Sequence, residues 1–286
     1  AACRTRPMGV AMARAPSWND ETVCAPSPAL TRPVRALVGL WRLARVVVHV
    51  LRGVAIVALR FRRLDAKRRQ GHIGRWSLGL LHALGIGLVS EGQFRSRATL
   101  VAANHVSWLD IAAVHAVCPQ ARFVSKADVR HWPLLGWLIG AVGTLFIERE
   151  RKRDAMRVVH QMAESLIAGD VVAVFPEGTT GDGRALLPFH ANLLQAAIAT
   201  EAPVQPVALR YTEPGLDYSP AVSWLGATTL VHSVWTIACA RGVQVRVTAL
   251  SARGSAHADR RALAQTLRAD IQCALVGRTN SDAPSP

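Results

Sequence analysis

The stretch "ATLVAANHVSWLDIAAVHAV", residues 98–117, joins two kinds of periodicity across a short polar turn. Its first six residues (98–103) are a brief apolar run of the kind that becomes a buried strand. From Trp108 to Val117 the length and composition suit a helix. Between them sits His105, with Asp110 five positions on at the start of that helix. Asn104 and Ser107 are candidate N-caps. Two readings of His105 and Asp110 stay open. In one, a capping acid lies beside an ordinary histidine. In the other, the carboxylate turns back to one imidazole nitrogen, and the second nitrogen faces a ligand as an acceptor. That nitrogen can take a proton directly from a hydroxyl, while the carboxylate holds the tautomer and steadies the imidazolium.

The alternation continues along the chain. "ARFVS" (121–125), "GTLFI" (143–147), "VVAVF" (171–175), "VQPVAL" (204–209) and "VQVRVTAL" (243–250) read as strands. "LLGWLIGAV" (134–142), "RDAMRVVHQMAESLIAG" (153–169), "NLLQAAIA" (192–199) and residues 257–275 read as helices. In the 153–169 helix, Met156, Val159, Met162, Ala163 and Leu166 make the expected apolar stripe, and Gly169 ends it. Strands alternating with helices predict an α/β fold, a mostly parallel sheet flanked by helices. Sites in such sheets form at the carboxyl ends of strands. "FPEGTTGDG" (175–183) follows one such end. Pro176 restricts one dihedral there, the glycines permit close backbone approach, and Glu177 supplies a carboxylate. "GTLFIERER" (143–151) leaves Arg149 just past another.

Ahead of this region the chain is basic and apolar together. Residues 37–59, "LVGLWRLARVVVHVLRGVAIVAL", are long enough to span a bilayer but contain Arg42, Arg45 and Arg52. Those arginines cost a total approaching roughly 10 kcal/mol, against a gain of roughly 4–8 kcal/mol from the aliphatic residues, so a simple span is marginal. At helical spacing, Arg35, Arg42, Arg45, His49, Arg52, Arg60 and Arg63 fall on one stripe, and Leu37, Val47, Leu51, Val54 and Ala58 on the opposite face. That pattern predicts an amphipathic helix lying on an anionic membrane surface. A buried helix whose arginines snorkel or pair with acids is the alternative. "RWSLGLLHALGIGL" (75–88) is expected to complete a helical hairpin. The expected organisation is a loose leader (1–33), a membrane-associated helical segment (34–90), an α/β domain (91–277) and a flexible tail (278–286).

The 286 residues carry a formal charge of +15, which favours anionic partners. Zinc-finger spacing, RNP-like aromatic motifs and basic-region heptads are lacking in the sequence, so no nucleic acid is expected. The five cysteines are scattered without a CxxC pair, which predicts reduced thiols and no metal site.

"NHVSWLD", "GTLFIER", "FPEGT" and "VQPVAL" occur in that order, with "FVSKADVRHWPLLGWLIG" between the first two. Together they closely resemble the ordered blocks of the glycerolipid acyltransferase family, which includes the 1-acyl-sn-glycerol-3-phosphate acyltransferases. The resemblance spans roughly residues 98–212. It implies transfer of a fatty acyl chain from acyl-CoA or acyl carrier protein to the free hydroxyl of a membrane lysolipid. The first expected acceptor is 1-acyl-sn-glycerol-3-phosphate, giving phosphatidic acid. By the same resemblance His105 is the general base and Asp110 orients it. Arg149 binds the acceptor head group, Lys126 helps with phosphate, and Glu177, Gly178 and Thr179 position the acceptor. No metal, cofactor or covalent enzyme intermediate is implied. The expected place is the cytoplasmic face of the inner membrane, peripheral or monotopic, against an anionic surface.

Two departures bear on the acceptor. Many phosphate-accepting members continue F-P-E-G-T with arginine, where this chain has Thr180. His190, in "PFHAN", stands where lysine is common. Arg151, Arg153 or Arg184 are candidates to replace the missing cation. "EGTTGDG" with "LLPFHANLLQAA" is also similar to a bacterial branch that acylates lyso-ornithine lipid, the alternative acceptor. A basic, non-catalytic membrane- or nucleic-acid-binding protein is the alternative of another class.

Overall fold

The computed structural model describes residues 32–126, 137, 140, 144–147 and 152–276. The expected leader as far as residue 31, most of the 134–142 helix, Arg149, Arg151 and the 278–286 tail lie outside the described residues.

The strands are β1 (Gly87–Glu91), β2 (Thr99–Ala103), β3 (Ala121–Lys126), β4 (Leu145–Ile147), β5 (Val171–Val174), β6 (Val204–Thr212) and β7 (Gln244–Ala249). The described helices are α1 (Arg32–Arg60), α2 (Ala66–Leu84), α3 (Leu109–Val117), α4 (Lys152–Ile167), α5 (Gln195–Ala199), α6 (Leu230–Cys239) and α7 (Arg260–Val276). The strands form one sheet in the order β1-β7-β6-β2-β5-β3-β4. Every neighbouring pair is parallel except β6 and β7. β2 and β5 are buried along their whole length, and apolar but for Thr99, because both faces are covered. On one face Val101, Ala173, Leu209 and Val245 pack with Leu81 and Leu84 of α2, Leu109 and Val114 of α3, and Ile237 of α6. On the other, Leu100, Ala102, Val172 and Val174 pack with Val158, Met162 and Leu166 of α4 and Leu263 and Leu267 of α7.

Several boundaries differ from expectation. The 75–88 segment does not stay helical. Gly85, at φ +79°, reverses the chain after Leu84, and paired hydrogen bonds Ile86 N–H to Leu81 O and Gly85 N–H to His82 O close the helix. Gly87 and Leu88 then begin β1, which pairs in parallel with β7. The boundary expected after residue 90 therefore falls inside a strand of the sheet. In α4, Met156 is 70% exposed, and Val158 joins Met162 and Leu166 in the buried stripe. Two residues turn a helix by about 200°, so Met156 and Val158 cannot share a face.

The basic stripe of α1 is divided. Arg42 turns into the protein, where Nη1 donates to Ala238 O at 3.0 Å and also to Ala240 O. These carbonyls end α6 and have no partner within that helix, so the guanidinium satisfies them. His49 donates from Nε2 to Trp76 O at 2.8 Å. Arg45 lies over the Trp41 ring, while Arg35, Arg52 and Arg60 are exposed. The inward contacts are close because glycines provide them. A Cβ on Gly39 would meet Cys239 Sγ at 2.5 Å, and one on Gly79 would meet His49 Cε1 at 2.5 Å. The opposite face of α1 is bare: Leu37, Leu40, Trp41, Val47, Val48, Leu51 and Leu59 are all more than half exposed. At 100° per residue they cover an arc about 120° wide. Among the described residues, no helix is long and apolar enough to cross a membrane.

Candidate active site

The carboxyl ends of β2 and β5 lie side by side, since Ala102 pairs with Val174. Each strand runs into a polar loop at that point, and the two loops grip each other. Asn104, just past β2, is buried and bonds both ways to the Leu209 peptide of β6, donating to its carbonyl at 2.9 Å and accepting from its N–H at 2.7 Å. It continues the ladder after the strand has ended, and so fixes the position of the next residue, His105.

The His105 peptide is held on both sides by the β5 loop. Glu177 Oε1 accepts from His105 N–H at 2.8 Å, and Gly181 N–H donates to His105 O at 2.7 Å. The other oxygen, Glu177 Oε2, accepts from Leu187 N–H at 2.9 Å. Burial pushes the Glu177 carboxyl above its ordinary pKa; the two amides and His105 oppose that shift, and Asp110 adds to it. Gly178, at φ +72°, carries the turn, and a Cβ there would come within 2.9 Å of His190 Cδ2. Thr179 is exposed. Thr180 donates its hydroxyl to Trp224 O, and Trp224 N–H donates to Val106 O at 3.1 Å, which draws the 213–229 segment across the same edge.

Asp110 is fully buried in the first turn of α3. Its Oδ2 accepts from Val106 N–H at 2.7 Å, Ser107 N–H at 2.9 Å and the imidazole Nδ1 of His105 at 2.7 Å. Neither candidate N-cap has that role. Asn104 is engaged by β6, and the Ser107 hydroxyl is buried without a partner. Asp110 reaches back from inside the helix and takes up the loop amides itself. The oxygen that receives these three bonds is an acceptor, so the proton sits on Nδ1 of His105 and the Nε2 lone pair is free of it. Three donors on one oxygen also offset the cost of burying the charge. The His105 side chain is 19% exposed, so the ring is reachable from one side only. Phe175 covers the other: its ring is stacked on the imidazole with centroids 4.0 Å apart and planes 7° from parallel. Tyr211 of β6 lies behind Asp110. Its phenol is held well above the ordinary pKa, first by burial and then by the Asp110 carboxylate.

Of the residues singled out from the sequence, the structure brings His105, Asp110, Glu177 and Gly178 together, with Thr179 on the same loop. Lys126 closes β3 on the same carboxyl edge. Arg184 projects from the β5 loop and stacks on the Tyr218 ring. The contributions of Asn104, Phe175 and the Gly181 amide were not legible in the sequence. Phe175 reads there as the last residue of a strand, and backbone donors leave no sequence signal.

An imidazole with one nitrogen tied to a buried carboxylate and the other open has the arrangement of a proton acceptor for a hydroxyl. Comparison with known proteins specifies the class. Residues 89–210 match the family model described as Acyltransferase. The chain is 37% identical over 202 residues to the lyso-ornithine lipid O-acyltransferase of Brucella abortus (strain 2308), covering 64% of this chain and 75% of the relative. It is 38% identical over 199 residues to the 1-acyl-sn-glycerol-3-phosphate acyltransferase of Neisseria meningitidis serogroup B, covering 68% of this chain and 76% of the relative. The crystal structure of the 1-acyl-sn-glycerophosphate acyltransferase PlsC from Thermotoga maritima superposes with a TM-score of 0.65 at 18% identity, over 90% of this chain and all of that one, which marks the same fold. The chain belongs to the acyltransferase family.

Proposed function

We propose that this acyltransferase moves a fatty acyl chain from a thioester to the free hydroxyl of a lysolipid. His105 Nε2 takes the hydroxyl proton as the oxygen attacks the thioester carbonyl. The new C–O bond forms a tetrahedral intermediate, whose collapse breaks the C–S bond, and the imidazolium returns its proton to the departing sulfur. Asp110 faces the imidazolium throughout. The observation that carries this reading is the 2.7 Å bond from His105 Nδ1 to an Asp110 oxygen already saturated by two amides. General-base help of this kind contributes about 10²–10⁴-fold. Glu177 serves by bracing His105, since both its oxygens are engaged by backbone amides. Gly178 and Thr179 line the acceptor's approach, and Lys126 and Arg149 supply cations for its head group. Acyl-CoA or acyl carrier protein is the donor.

The leading acceptor is 1-acyl-sn-glycerol-3-phosphate, with lyso-ornithine lipid as the second reading. A specific observation favours the second: Thr180 offers a hydroxyl where a phosphate-binding arginine would be useful, and that hydroxyl is turned toward Trp224 O. One experiment addresses both the chemistry and the acceptor. The purified protein is offered lysophosphatidic acid and lyso-ornithine lipid in parallel, alongside His105→Ala. Acylation of one acceptor, reduced at least about a hundredfold in the variant, is expected. Equal rates in the two proteins would remove His105 as the base. No turnover of either lipid would remove the lysolipid reading.

The bare apolar arc of α1, flanked by Arg45 and Arg52, supports docking into the headgroup region of an anionic membrane. In this arrangement the enzyme is peripheral or monotopic, on the cytoplasmic face of the inner membrane.

A further inference from the structure

We infer that Phe175 is a positioning residue for His105, fixing the plane of the imidazole and so the direction of Nε2; the inference rests on the reading of His105 as the base. The covalent link at Cβ and the hydrogen bond from Nδ1 to Asp110 hold two points of the ring but leave its plane free to swing about the axis between them. A second contact on the ring face removes the swing. Phe175 provides it, with centroids 4.0 Å apart and planes 7° from parallel. The phenyl ring is itself backed. Phe123 of β3 stacks behind it at 5.5 Å and 23°, is only 2% exposed, and meets His115 edge-on at 4.9 Å. The column His105–Phe175–Phe123–His115 thus runs from the site, where His105 and Phe175 are partly exposed, into the core of the α3 face, where Phe123 and His115 are buried. The electron-rich face of Phe175 also attracts the imidazolium as positive charge develops on it. A leucine would fill the space but would offer neither a flat face nor a quadrupole.

The test uses the full chain in lipid nanodiscs. Nuclear magnetic resonance of the His105 ring protons, assigned by their loss in His105→Ala, should find them displaced upfield by the phenyl ring current, and Phe175→Leu should abolish that displacement. In turnover, Phe175→Leu should lower kcat about 3- to 30-fold, with both KM values within about twofold of wild type. Phe175→Tyr should restore kcat. Undisplaced His105 protons in the wild type would overturn the inference. So would full kcat in Phe175→Leu, a rise in KM that accounts for its loss, or a Tyr variant as slow as the Leu variant. If Phe175→Leu does not fold, the wild-type resonances and Phe175→Tyr decide. If His105→Ala keeps its activity, the base reading fails while the ring-current result still stands on its own.

Discussion

One residue, Glu177, shows how a side chain named for substrate contact also braces the loops of the site. Its carboxylate is buried and divided between the His105 and Leu187 amides, joining the two loops that carry the site. Glu177→Ala leaves those N–H groups unmatched, and a buried unmatched N–H costs about 1–3 kcal/mol. Denaturant unfolding should register that loss, and kcat should fall because the His105 peptide keeps only the Gly181 bond. A rise in acceptor KM with unchanged stability would return Glu177 to the substrate. Asp110 follows the same logic: its spacing from His105 is visible in the sequence, yet its capture of Val106 and Ser107 N–H is not. The spacing permits a turn, but only the β2–α3 geometry turns the carboxylate back.

Among the elements, α1 was legible in its periodicity and not in its orientation. The apolar face foreseen from Leu37, Val47 and Leu51 is exposed, whereas Arg42 and His49 of the basic stripe are directed inward to backbone carbonyls. Helical spacing separates two faces but does not say which of them a neighbour can satisfy. The carbonyls ending α6 select Arg42, and α6 was itself missed because "LVHSVWTIAC" mixes strand-forming and helix-forming residues. The membrane reading makes a prediction at this scale. Leu40→Glu combined with Leu51→Glu changes only the bare face, so α1 should stay packed. Co-sedimentation with anionic vesicles should nevertheless fall at least about tenfold, because tenfold is only 1.4 kcal/mol and full burial of one leucine is worth roughly 1.5–3 kcal/mol. Undiminished partitioning would show that this arc does not meet lipid.

For the whole molecule, the N-terminal helices are part of the core rather than an appendage to it. β1 pairs with β7, and Leu80, Leu81, Leu84 and Ile86 are buried in the cluster that contains Leu109, Val114 and Ile237. Burying four such side chains is worth roughly 6–12 kcal/mol, comparable with the whole stability of a typical domain, about 5–15 kcal/mol. A chain beginning at residue 92 should therefore fail to fold cooperatively; a sharp unfolding transition in that fragment would restore the boundary expected after residue 90. The sequence alone determined the α/β class, most strands of the sheet and the His105–Asp110 spacing, because buried strands and short-range pairs are local patterns. Tertiary structure decided the rest: the strand identity of "GLVSE", the inward turn of Arg42, the tautomer of His105 and its stacking on Phe175. Each depends on a distant partner, on a backbone group or on the way a short turn closes, and none of these leaves a period in the chain.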